Sequence, residues 1–331
     1  MSQTSPWLSL HVHYNSDPHW LLKHGIAPAI DALRNRKLVS QYFFIRYWEQ
    51  GPHVRLRLRA AGGEQKGASR EVAESVIDQY LCRRPSVFRF PTPHMPPRFS
   101  QLFISEYGEE ELRRKYGGSG QIPFAENNRI LEVPYSPEYE RYGGEDGVAI
   151  AERHFEVSSD HVLRCLTMEN GHDFRVILGR GYRLMLYACL ALLPDSGAQM
   201  QFLKSYENQW NGLIGALSEM ADLQFDRKYK ASKPALDRNT AACIAVAEGA
   251  EEGHAEEREW FEHMQSVRCE LDDAFSRGRL RLPEAVQTVD QAIGYLLPNY
   301  IHMTNNRLGI SISDEVYMAY VMRRSLDDYG C

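Results

Sequence analysis

The sequence predicts an α+β fold, an early antiparallel β-sheet followed by a largely helical C-terminal part. Three observations carry this. "HVRLRLRA" (53–60) and "WLSLHVHY" (7–14) alternate apolar and polar residues as strands do, and from about residue 146 onward the apolar spacing is helical. Strand and helix signals are segregated along the chain instead of alternating, which argues against a parallel α/β sheet.

The elements follow in order. In 7–14, Leu8, Leu10, Val12 and Tyr14 stand against Ser9, His11 and His13. A helix is expected from Ser16 or Asp17 to about Arg36, with Pro18 in its first turn, Leu21, Leu22, Ile26, Ile30 and Leu33 as its apolar stripe, and Arg34, Arg36 and Lys37 as a solvated end. "YFFIRYWEQGPHVRLRLRA" (42–60) reads as two strands joined through Gln50-Gly51-Pro52. Phe44, Arg46 and Trp48 share one face of the first, and Tyr42, Phe44, Tyr47 and Trp48 are expected in a core or cleft wall. A loop over 61–70 leads to a helix from about Ser69 to Leu81, then to an irregular Pro- and Arg-rich stretch over 83–99. The segment "ILEVPYSPEYERYGG" supplies one short strand before Gly143-Gly144. Helices are expected over roughly 146–169, 174–193, 198–222, 236–248, 254–277, 282–304 and 313–327, the last capped by Ser313. There is no internal repeat. A single domain over 1–331 is expected, sheet-rich over 1–135 and mostly helical over 136–331.

Bulk properties narrow the function classes. A net charge of −6 and a pI near 6.1 argue against general nucleic-acid binding, so any anionic ligand must be met by a local cluster. The start has neither the charge nor the apolar run of a signal peptide, and no window approaches a membrane span. The six cysteines are scattered, without CxxC or zinc-finger spacing, which suits reduced thiols in the cytoplasm. No phosphate loop, HExxH or GxSxG is present, and "YGGSGQ" (116–121) reads as a turn. No metal or cofactor is expected. Cys189 and Cys243 sit in apolar helical surroundings as structural thiols.

The arginine-rich strand invites two readings. Strand alternation puts His53, Arg55, Arg57 and Arg59 on one face and Val54, Leu56 and Leu58 on the other. That cationic face is either a solvated sheet edge or an anion-binding wall.

Three ordered segments decide more: "YFFIRYWEQGPHVRLRL" (42–58), "YERYGGEDGVAIAERHFEVSSDHVL" (139–163) and "YIHMTNNRLGISISDEVY" (300–317). Together they resemble the thiopeptide-type bacteriocin biosynthesis family, the small C-terminal domain of lanthipeptide dehydratases and its free-standing relatives, from Trp7 to about Leu326. The resemblance implies elimination of glutamate from glutamylated Ser or Thr of a ribosomal precursor peptide, giving dehydroalanine or dehydrobutyrine. The catalytic residues it implies are Arg55, Arg57, Arg141 and His302. Arg46 and His53 nearby on the strands, and Asn305 and Asn306 after His302, are the candidates for holding substrate. The implied partner is a separate tRNA-dependent glutamylating dehydratase, since the large glutamylation domain of the fused enzymes is not seen; a homo-oligomer is left open, and neither direct nucleic-acid nor membrane contact is expected. Two alternatives accompany this: a pyridine-forming [4+2] cyclase joining two dehydroalanines and releasing the leader peptide, a branch that typically lacks much of the Arg/His set, and a non-catalytic peptide-binding module.

The chemistry accounts for such residues. Elimination builds negative charge on a carbonyl oxygen, and losing one preorganised donor to such an oxyanion costs on the order of 10²-fold in rate. A guanidinium fork also suits the free carboxylate of the departing glutamate, and His302 is the natural proton carrier. The local sequence also allows humbler roles: an ion pair to Glu138 or Glu140 for Arg141, and a hydrogen-bonded helix-end histidine for His302.

Overall fold

The structure, a computed structural model, describes residues 6–168, 170–214 and 219–329. It divides into two compact units, Met1–Ser136 with Val162–Met168, and Pro137–His161 with Glu169–Cys331.

The first unit is a four-stranded antiparallel sheet. Strands β1 (Trp7–His13), β2 (Val39–Tyr47), β3 (His53–Ala60) and β4 (Arg129–Glu132) are ordered β2-β3-β1-β4. Register sets Leu8 opposite Leu58, Leu10 opposite Leu56 and Val12 opposite Val54, so one face is continuously apolar and these six side chains are buried. The other face pairs Ser9 with Arg57, His11 with Arg55 and His13 with His53. The β2–β3 connection needs the left-handed backbone of Gln50 and Gly51, which glycine adopts without a Cβ clash.

Helices cover the apolar face. The expected helix over 16–36 forms as α1 (Pro18–Leu21), a π-helical turn (Leu22–Ile26) and α2 (Ala27–Asn35). Asp17 caps it by accepting from the His19 N–H at 3.0 Å. The wide turn has a cause in Pro28. Its ring lacks an N–H for the His24 carbonyl and would clash with it in an ordinary α-turn, and instead the Ala27 N–H reaches back to the Leu22 carbonyl. Helix α3 (Lys66–Arg83) packs alongside, with Ala73, Ile77, Tyr80 and Leu81 buried. The stretch 84–96 is irregular as expected, but helix already begins at Pro97: α4 (Pro97–Tyr107) and α5 (Glu109–Tyr116) form a hairpin. It carries its own small core of Met95, Phe103, Leu112 and Ile122, against which Trp48 packs.

The second unit is helical: α6 (Tyr139–Tyr142), α7 (Gly144–Thr167, whose end from Val162 belongs to the first unit), α8 (Phe174–Leu192), α9 (Ser196–Ile214), α10 (Glu219–Ala247), α11 (Ala255–Ser276), α12 (Val289–Leu308) and α13 (Ile312–Asp328). Three expected boundaries are corrected. Helix α10 starts well before 236 and runs through Pro234. Helix α12 starts at Val289 and not at 282, because Thr288 and Gln291 form a capping box. The cap of α13 is Ser311, whose hydroxyl accepts from the Asp314 N–H at 3.3 Å, and not Ser313. The expected helix over 198–222 is present to Ile214; 215–218 lie outside the described residues. The described cysteines are free thiols, and no helix among the described residues is long and apolar enough to cross a membrane.

Candidate active site

In the first unit the polar sheet face forms a buried cluster of cations and imidazoles. Arg55 is neutralised there. Its Nη2 meets Glu49 Oε2 at 3.1 Å, its Nε donates to His53 Nε2 at 3.2 Å, and its guanidinium lies 3.4 Å from the Tyr47 ring centroid. Glu49, itself buried, is held further by Lys115 Nζ at 2.6 Å and by the Tyr116 hydroxyl.

Arg57 differs. It is 6% exposed, donates to Ser9 Oγ, lies 5.1 Å from the Tyr135 ring and has no acidic partner among the described residues. Its Nε is buried without a hydrogen bond. Burial first, then the Arg55 charge, lowers its pKa from 12.5 to about 9, so it remains cationic at neutral pH. A desolvated cation with an orphaned donor is the feature most suited to a developing negative charge on a ligand oxygen. Arg59 is exposed, as a solvated edge residue would be.

Three histidines complete the cluster. His53 Nδ1 donates to the Gly51 carbonyl at 2.9 Å, which leaves Nε2 to accept from Arg55 and fixes the neutral tautomer. Burial and neighbouring Arg55 push His13 down to about 4, while His11 and His53 are pushed lower still, so all three are neutral at pH 7. Their ligand atoms lie within 4.8 Å of one another, a spacing a metal could bridge. Arg55 already occupies His53 Nε2, however, and the charges of Arg55 and Arg57 oppose a dication. The sequence shows no such grouping because the three come from two strands.

The strand register separates Arg46 from this cluster. It lies opposite Val54, on the helix-covered face, where burial lowers its pKa to about 10 against the stabilising charge of Asp17. Of the four residues predicted from the sheet, His53, Arg55 and Arg57 converge and Arg46 does not.

The second unit carries the remaining candidates. His302, on α12, places Nδ1 3.0 Å from Glu315 Oε1, and its ring sits 4.7 Å from Trp210. Glu315 is wholly buried and also accepts from the Tyr206 hydroxyl, so it is a fixed carboxylate that orients the imidazole. Arg141 pairs with Glu138 at 3.1 Å, the local ion pair the sequence allowed. Its carbonyl accepts from Asn299 Nδ2 at 3.5 Å, about one helical turn from His302. The reversal after Arg141 uses the positive φ of Gly143 and Gly144.

Asn305 is buried, and its Oδ1 faces Gly181 of α8, so it packs inside the helical unit; Asn306 is partly buried. Two residues that sequence reasoning passed over stand out. Glu315, in the first turn of α13, holds His302. Arg307 is fully buried, donating to Ser159 Oγ at 3.1 Å and to the Met303 carbonyl at 2.8 Å over the Phe155 ring. The only signal for Glu315 was its distance from His302, 13 residues along the chain across a Gly-containing turn.

Comparison with known proteins gives the family. The chain belongs to the lantibiotic biosynthesis dehydratase C-terminal family, whose model matches residues 7–326. Among solved structures it is similar to the pyridine synthase TbtD from thiomuracin biosynthesis (21% identity, TM-score 0.75, covering 98% of this chain and 99% of that one). It is also similar to TsrL (15% identity, TM-score 0.68, 98% and 95% covered). A third likeness is to the tRNA-dependent lantibiotic dehydratase MibB from Microbispora sp. 107891 (19% identity, TM-score 0.57), covering 99% of this chain and 28% of that one. No curated protein sequence matches the chain.

Proposed function

We propose that this protein is a pyridine-forming cyclase that acts on a dehydroalanine-bearing ribosomal precursor peptide. The observation that carries this reading is the fold match to a pyridine synthase, TM-score 0.75 against 0.57 for the dehydratase. In such a reaction one dehydroalanine supplies an alkene. The other, with its preceding amide as the imidic acid, supplies an azadiene. New C–C bonds close the ring, and loss of water and then of the leader peptide as its carboxamide makes it aromatic. No carboxylate departs.

The buried sheet face suits neutral reactants. Arg57 is, among the described residues, the one desolvated cation on that face without an acidic partner, placed to hydrogen-bond an amide oxygen as it takes on imidic-acid character. In the second unit, His302 oriented by Glu315 is a group able to carry a proton. A peptide carrying azoles and two dehydroalanines, incubated with the purified protein, is expected to yield a macrocycle and a free leader by mass spectrometry.

A second reading, glutamate elimination, is favoured by the presence of Arg55, Arg57, Arg141 and His302 together, the set the resemblance assigns to it. The precursor peptide would then come glutamylated from a dehydratase partner. Offering the same protein a glutamylated peptide separates the two: loss of glutamate, with the dehydroalanine peptide left unchanged, would overturn the cyclase reading.

A further inference from the structure

A groove of about 420 Å³ opens on the outer side of the helices that cover the sheet. Its wall includes Trp20, His24, Pro28, Tyr80, Arg83 and Arg84, and no carboxylate among the described residues lines it. Trp20 is 45% exposed and stacks on His24 with ring centroids 5.5 Å apart at 11°, and His24 in turn stacks toward Tyr80 at 6.5 Å and 17°. His24 owes this position to the π-helical turn Leu22–Ile26, and turns of that kind recur at functional sites. Gly25 lets α3 come close behind it, since a Cβ there would stand 3.3 Å from the Tyr80 ring.

The groove ends in unmet positive charge. Arg83 and Arg84 are exposed at the C-terminus of α3, and neither side chain forms an ion pair among the described residues. The chain that follows runs beside the start of α1, where Ser86 and Ser16 hydroxyls meet at 2.8 Å, and it presents Val87 and Phe88, 87% and 52% exposed. The Phe88 ring packs on Phe90 outside the groove; within it, an exposed Trp20 stacked on His24 and two arginines without an ion pair among the described residues mark a recognition surface.

We propose that this groove docks an acidic peptide segment bearing an aromatic side chain, a part of the peptide substrate outside the region that reacts. Aromatic stacking on Trp20 gives the anchor, and carboxylates on Arg83 and Arg84 give the sign and direction. A peptide fits better than a nucleic acid: two arginines in a chain of net charge −6 meet few phosphates. The inference rests on the peptide-substrate reading above, but its test does not need turnover.

The probe is a fluorescein-labelled peptide with a run of Asp and Glu around one Phe, followed by anisotropy. Saturable binding is expected, weakened at least tenfold by R83E/R84E and by Trp20→Ala, less by R83Q/R84Q, and lost when Lys replaces the peptide's acids. Circular dichroism checks that the variants fold. Equal affinity in wild type and R83E/R84E would overturn the proposal, as would tighter binding of a polyuridylate oligonucleotide, or a variant that alters only the oligomer mass. Binding without conversion of any peptide would retire the cyclase reading and leave the groove standing. Conversion by R83E/R84E at unchanged KM would retire the groove and leave the reaction standing.

Discussion

Replacing Arg57 by Met is expected to leave the protein at least as stable while abolishing its activity. The guanidinium is buried, has no carboxylate partner among the described residues, and has its pKa lowered from 12.5 to about 9. At about 1.4 kcal/mol per pH unit, keeping it charged costs the folded state roughly 5 kcal/mol. Its folded pKa is the lower one, so this cost is fully present below about pH 9 and recedes only toward 12.5, and a measurement at pH 7 reads all of it. The charged form is held by a hydrogen bond to Ser9 and by the Tyr135 ring. The shift is a net figure that already includes what these contacts give the charged form, so removing the cation is expected to leave the fold at least as stable, in line with buried charges that apolar isosteres replace without loss. Urea unfolding at pH 7 checks it, with Arg59→Met as the control: that residue is exposed, and its replacement should change stability by less than about 0.5 kcal/mol. If Arg57→Met loses more than 1 kcal/mol, Arg57 is a structural strut and the case for it as a poised donor fails.

Three further outcomes follow from the geometry. His13, held down at about 4 by burial and by Arg55, stabilises the fold above its unfolded pKa of about 6.5, and that contribution is lost as pH falls toward 4; His13→Gln should flatten the stability profile between these limits by about 1.4 kcal/mol per pH unit, and an unchanged slope would refute it. Glu315→Gln should lower turnover about tenfold or more by loosening the hydrogen bond that orients His302 Nδ1, whereas a change in melting temperature alone would mean that Glu315 only packs. Thr288→Ala breaks the capping box of the helix that carries His302 and should cost about 1 kcal/mol by denaturant titration; no loss would mean that tertiary packing alone sets the start of α12.

Most of the sheet could be read in advance because strand alternation is local. The apolar faces Leu8, Leu10, Val12 and Val54, Leu56, Leu58 follow from two short apolar–polar patterns, whereas the pairing of these two strands, Leu8 with Leu58 and Val12 with Val54, comes from the structure alone. The position of Arg46 did not follow, although the same alternation contains it. Which face of β2 joins the cationic face of β3 depends on register, and register is fixed by the Gln50-Gly51 turn and not by composition. The hairpin of α4 and α5 was missed because its core of four residues is spread over 95–122 behind a proline-rich approach. The π-helical turn was invisible for a related reason: Pro28 at a helix start is ordinary, and only continuity with α1 makes its missing N–H widen the turn before it. The start of α12 was set by a side-chain exchange between Thr288 and Gln291 that apolar spacing does not register.

The candidate site was legible as a list of residues but not as a distribution of charge. Alternation made Arg55 and Arg57 equivalent, two guanidiniums on one face, and a reaction that expels a carboxylate could use both. The structure makes them unlike. Arg55 is bound to Glu49, a residue of the connecting turn that is itself tied to Lys115 and Tyr116 of α5, so its charge is spent within the protein. Arg57 keeps its charge in a dry setting with one donor unused. Among the described residues this sheet face thus presents Arg57 as a cation without an ion pair, flanked by neutral imidazoles; under the cyclase reading proposed above, that environment polarises a carbonyl more readily than it retains a dicarboxylate. Because the neutrality of His11, His13 and His53 depends on burial beside those same arginines, the wall behaves as one electrostatic unit. A substitution at Arg55 should therefore be felt at the imidazoles as well as at the ligand.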